Sequence, residues 1–267
     1  MNYKRLISGL LFGICLVTLG VSNTYAADIA PIPETIGETV VSDPATTQFP
    51  PIIVENLVEQ EHELLRLWFS DAAFVGNSTS VGLTTFFGKK ENAYLGNPKV
   101  LAVTSYSFKN DNGTKEKYRL SYNDFNGKAK DVIAASGAKK VFINMGTNDL
   151  WGGPDKAYDE YVAYIDGIKE ANPGILIIIE STTPVYTGSE KDGLNNENID
   201  ILNQKMQALC EVNPDMLYID ISTALKDETG GMKAEYSSDK FVHLTNAGYK
   251  VWIDQVITAI KPYILPF

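Results

Sequence analysis

The stretch KVFINMGTND, Lys140 to Asp149, sets an apolar run directly against a polar turn. The same arrangement recurs along the chain. AAFVG (72–76) runs into Asn77 and Ser78, and KVLAV (99–103) runs into Thr104 and Ser105. ILIIIES (175–181) and MLYIDIS (216–222) are further apolar runs of this kind. Between the runs, residues 126–137, 155–171, 196–212 and 246–261 carry amphipathic helical spacing. Continuous apolar strands separated by helices predict a parallel sheet covered on both faces. The expected fold class is therefore α/β, a three-layer α/β/α flavodoxin-like domain with a five-stranded parallel sheet. Ligands of such sheets bind beyond the C-terminal ends of the strands, where these polar turns lie.

Upstream of the first run, VENLVEQEHELLRLWF (54–69) places Val54, Leu57, Val58, Leu64, Leu65 and Trp68 at helical spacing. Residues 27–54 are rich in Pro, Thr and acidic side chains and read as an extended linker or arm. Residues 1–26 read as a signal peptide, with Lys4 and Arg5 before an apolar segment and small residues leading to cleavage after Ala26. The domain is expected over 55–267, and the mature protein is expected to be secreted or held in the cell envelope.

The chain of 267 residues has a net charge of −10, and losing Lys4 and Arg5 makes the mature form more acidic still. That balance argues against nucleic acid and against anionic membrane surfaces as partners. Of the cysteines only Cys210 lies outside the signal peptide, so no intramolecular disulfide is expected. No HExxH or paired-cysteine set suggests a metal, and no cofactor is expected.

Ser78, in VGNSTSVGL (75–83), is either a nucleophile at a strand end or a polar turn residue. Asn148 and Asp149 either serve an oxyanion or cap the following helix. His243 precedes the last helix, for which Thr245 or Asn246 is a credible N-cap, and Asp239 lies within reach of its ring. His62 sits among charges in EQEHELL and reads as a solvent-facing helix residue, which leaves His243 as the histidine base.

Taken together, these pieces resemble the SGNH or GDSL-type hydrolase family. GNSTSVGL matches its first block with Gly76, Ser78, Gly82 and Leu83. Gly146, Thr147, Asn148 and Asp149 match its GxND block, and Asp239 with His243 stand for its last. The resemblance covers roughly residues 70–262. It implies a serine esterase in which Ser78 attacks the ester carbonyl, His243 is general base and then acid, and Asp239 orients His243. The Ser78 N–H and the Asn148 side chain would hold the oxyanion, with Ser105 standing where the family's second block has glycine.

The sequence departs from the family pattern in three places. Asn77 replaces the usual aspartate before the serine. Ser105 replaces glycine, and a positive φ there would be strained. Lys240 occupies the usual position of the aspartate, so Asp239 needs a one-residue bulge to reach His243. For the substrate, Tyr106, Trp151 and Tyr186 are candidates to stack on a sugar or line an acyl pocket. A short-chain ester, an O-acetyl group on a small molecule or an extracellular glycan, is the expected substrate. Lysophospholipase or thioesterase activity is the enzyme alternative, and a catalytically impaired binding or scaffold protein is the non-enzyme one.

Overall fold

The computed structural model describes residues 51–264. The signal peptide assigned to 1–26 and the arm up to residue 50 lie outside the described residues. Helix α1 (Pro51–Ser70) begins ahead of the boundary drawn at residue 55 and leads into β1 (Ala72–Gly76), α2 (Ser78–Phe87) and β2 (Lys99–Ala102). Next come α3 (Phe108–Asn112), β3 (Leu120–Tyr122), β4 (Phe125–Gly127), α4 (Ala129–Ser136) and β5 (Lys140–Asn144). The chain continues through α5 (Pro154–Ala171), β6 (Leu176–Glu180), α6 (Asn196–Glu211), β7 (Met216–Ile219), α7 (Ser222–Leu225) and α8 (Asn246–Ile264).

The main sheet has five strands in the order β2-β1-β5-β6-β7, paired in parallel throughout. Each of the five apolar runs forms one of its strands. Counted among the parallel strands alone, this order is 2-1-3-4-5, the flavodoxin-like doubly wound arrangement expected from the sequence. The strands alternate between two apolar layers. Ala73, Val75, Val141, Ile143, Ile177 and Ile179 pack on one side of the sheet, toward α4, α5 and α6. Ala72, Phe74, Phe142 and Ile178 pack on the other, toward α1, α2 and α8. Both faces are dry, which explains why the strands read as unbroken apolar runs.

Two local expectations need correction. The helix expected over 126–137 is shorter, because Phe125–Gly127 pairs antiparallel with Leu120–Tyr122 and helix α4 begins only at Ala129. Asn123 supplies the left-handed turn residue of that hairpin, at φ 52°. His62 does not face solvent freely. Its ring lies 4.8 Å from that of Tyr94, and it is only about one-third exposed.

Helices α2 and α8 meet closely beneath the strand ends. A Cβ on Gly82 would fall 1.9 Å from the Tyr249 hydroxyl, so only glycine admits this approach. The same hydroxyl donates to the carbonyl of Thr79 at 2.8 Å. Helix α8 is also tied to the sheet, where Trp252 Nε1 donates to Glu180 at 2.8 Å. Burial pushes the Glu180 carboxyl up to about 8 against that hydrogen bond.

Candidate active site

Ser78 is the first residue of α2, immediately beyond the end of β1. A serine here has its N–H among the helix-terminal donors that lack intrahelical partners, in the positive field of the N-terminus. Asn77 is the N-cap, and its side-chain oxygen accepts from the Thr79 N–H at 3.0 Å. Asn77 is fully buried, and its Nδ2 has no hydrogen-bond partner. The capping half of the usual aspartate's work is therefore kept. The buried amide nitrogen without a partner carries a penalty of about 1–3 kcal/mol.

The loop before α8 brings His243 to Ser78. His243 Nε2 lies 2.9 Å from Ser78 Oγ, and His243 Nδ1 lies 2.5 Å from Asp239 Oδ2. The bulge that Lys240 requires is present, with that residue in the left-handed region at φ 55°. Asp239 holds the loop as well as the ring. Its Oδ1 accepts from the N–H groups of Phe241 (2.8 Å), Val242 (3.2 Å) and His243 (3.2 Å). Partial burial pushes its carboxyl up, but the bonds from the His243 ring and the backbone N–H groups outweigh this, so its pKa falls below the ordinary value. Thr245 caps the helix that follows, accepting from Gly248 N–H at 3.3 Å.

The two remaining strand-end loops face each other through the GxND segment. Asn148 Nδ2 donates to the Tyr106 carbonyl at 2.9 Å, which commits one of its two N–H hydrogens to the backbone. Ser105 is exposed and left-handed at φ 61°, the strained conformation foreseen if its φ were positive. Asn110 Nδ2 donates to its carbonyl at 2.7 Å. Asp149 makes no side-chain cap of the short 3-10 turn that follows it. Its carboxylate accepts instead from the N–H of Phe108 at 2.8 Å and of Gly146 at 3.3 Å, joining the 105–108 loop to the GxND turn. Burial pushes this carboxyl up to about 7, opposed by those two hydrogen bonds. This bridging role is the part of the site that the sequence concealed, since nothing local to Asp149 points to Phe108.

Of the three aromatic candidates, Tyr106 is corrected. It is fully buried, donates to Asp111 at 2.7 Å and lies 3.2 Å from the Tyr164 hydroxyl, so its ring is core and cannot stack on a substrate. Tyr186 is half-buried against the α2/α8 layer. Trp151 is 54% exposed in the turn after Asp149.

Among the described residues, no group of three or more His, Cys, Asp or Glu side chains is placed to hold a metal ion. The reacting geometry that is present needs none. A hydroxyl, an imidazole and a carboxylate stand in line at the C-terminal edge of a parallel sheet, able to pass a proton from Ser78 to His243 while Asp239 stabilises the imidazolium.

Residues 74–251 match the GDSL-like Lipase/Acylhydrolase family model. No curated protein matches the chain. A GDSL-like lipase from Bacteroides thetaiotaomicron is similar at 19% identity and a TM-score of 0.50, over 72% of this chain and 86% of that one. The lipase/acylhydrolase of Enterococcus faecalis is 14% identical with a TM-score of 0.53, over 73% and 98%. A carbohydrate esterase family 3 protein from Talaromyces cellulolyticus is 13% identical with a TM-score of 0.51, over 72% and 97%. These likenesses extend the fold to distant sequences, and the family match spans both strand-end motifs and the histidine loop: the chain belongs to the GDSL-like lipase/acylhydrolase family.

Proposed function

We propose that this protein is an exported serine esterase that removes short acyl groups, O-acetyl above all, from glycans. The observation that carries the reading is the continuous contact Asp239–His243–Ser78, at 2.5 and 2.9 Å, at the start of a helix. In this reading Ser78 Oγ adds to the ester carbonyl while His243 takes its proton. His243 then gives that proton to the leaving alcohol, and water repeats the sequence to release the acid. The oxyanion is held by the N–H groups of Ser78 and Ser105 and by the free N–H of Asn148. The leaning toward glycans draws on the exposed Trp151 beside the GxND turn and on the carbohydrate esterase among the structural neighbours.

The test is hydrolysis of p-nitrophenyl esters of rising chain length. Acetyl esters are expected to be cleaved faster than octanoyl esters, with activity abolished in Ser78→Ala and His243→Ala. A rate that rises with chain length would favour lysophospholipase or thioesterase chemistry. Absence of all turnover, with Ser78 inert to a fluorophosphonate, would leave a binding protein on an esterase fold.

A further inference from the structure

Resting on the esterase reading for the role of Ser78, we propose that Glu180 is a positioning residue for that serine: through Trp252 and Tyr249 it sets where the serine's helix stands relative to His243. Glu180 ends β6 and is buried. It lies two positions beyond Ile178, so its side chain leaves the sheet on the α2/α8 side. Among the described residues its carboxyl has one side-chain partner, the Trp252 indole Nε1 at 2.8 Å. Burial pushes that carboxyl up, opposed only by the indole bond. An apolar side chain in its place would escape the cost of burying a carboxyl, and what it would lose is this one bond. The bond fixes the orientation of an indole that is itself fully buried.

The link continues from the indole to the serine. Trp252 stacks on Tyr249, about one turn earlier in α8, with ring centroids 6.1 Å apart and planes inclined by 23°. The Tyr249 hydroxyl donates to the carbonyl of Thr79 at 2.8 Å, and Thr79 directly follows Ser78. The N–H of Thr79 is bound in turn by the Asn77 cap at 3.0 Å, so this residue is held on both sides of its α-carbon. Helix α8 also begins three residues after His243. Its start therefore continues the histidine loop, and its first two turns reach Thr79 and Glu180.

The other close seat of α2 is steric. A Cβ on Gly76 would fall 2.0 Å from Ser80 Oγ, so Ser80 rests on the bare backbone of β1. That hydroxyl has no hydrogen-bond partner. Such a contact limits how near the helix comes to the sheet and leaves it free to slide. The bond from Tyr249 is directional and supplies what the steric seat lacks.

The experiment measures kcat and KM for p-nitrophenyl acetate in the full chain, Glu180→Leu, Glu180→Gln, Tyr249→Phe and Glu180→Leu/Tyr249→Phe, each below its thermal midpoint. Glu180→Leu is expected to lower kcat about 10- to 100-fold with KM within about twofold, because the ester still binds but meets a displaced serine. Glu180→Gln keeps an acceptor for the indole and should hold kcat within about threefold of the unchanged chain. Tyr249→Phe should lower kcat by a similar factor to Glu180→Leu. The double variant should lose no more than the larger single loss, since both changes cut one link. Where Glu180→Leu fails to fold, Trp252→Phe cuts the same bond from the other side and takes its place. An undiminished kcat in the folded variant, no rescue by Gln, or losses that multiply in the double variant overturn the inference and leave the esterase reading standing. If the unchanged chain cleaves no ester, the esterase reading falls, and crystal structures of the full chain and Glu180→Leu decide the inference. A Ser78 Oγ to His243 Nε2 separation that widens from 2.9 Å beyond hydrogen-bonding reach supports it, and an unchanged separation overturns it.

Discussion

Two loops of the candidate site each hold a non-glycine residue at positive φ: Lys240 at 55° and Ser105 at 61°. They are supported in opposite ways. The Lys240 loop holds itself, because Asp239 accepts N–H groups from residues within four positions along the chain. The Ser105 loop is held largely from afar. Asn148 reaches its Tyr106 carbonyl across 42 positions and Asp149 its Phe108 N–H across 41, with Asn110 as the local contribution. A candidate site can thus combine a histidine loop fixed by near neighbours in the chain with a serine loop set by tertiary structure.

The most damaging test of this contrast is Asp239→Asn. The amide oxygen can still accept the backbone N–H groups, so the loop should survive, while the histidine loses its carboxylate partner. Turnover of p-nitrophenyl acetate should fall about 10³–10⁴-fold with little change in thermal midpoint. A loss below tenfold would mean that the short contact to His243 does not serve the reaction. Next in size is Asp149→Ala, which strips the partner from two buried N–H groups. We expect a stability loss of about 1–3 kcal/mol in urea titrations and a fall of about 10- to 100-fold in kcat, from a displaced 105–108 loop. Unimpaired kcat would show that the oxyanion loop holds without its distant tie. The smallest effects belong to Ser105→Gly and Lys240→Gly. Relief of strain and the greater freedom of glycine in the unfolded chain nearly offset, for a net change within about 1 kcal/mol. Chemical denaturation of the two variants checks this, and a large loss in either would show that the side chain itself supports its loop.

The same contrast explains what could be read in advance. The five strands were legible because burial on both faces leaves an unbroken apolar run. The Asp239–His243 pair was legible because it closes within one short loop, although the left-handed Lys240 that makes it fit could only be posed as a bulge. Tyr106 was misread because its burial depends on Tyr164, far along the chain on α5, and on Asp111. The tie from Asp149 to Phe108 was hidden for the same reason, so its cap reading stood open beside the oxyanion one. The hairpin at 120–127 interrupts what sequence spacing alone reads as helix, since its pairing is decided by Asn123 in the turn rather than by periodicity.

The bare backbone of Gly82 against Tyr249 carries a longer consequence. It clamps the helix that begins at Ser78 to the helix that follows His243. Ser78 and His243 therefore ride on a common chassis. A change in a loop such as 182–196 is therefore expected to leave the spacing between Ser78 and His243 the same.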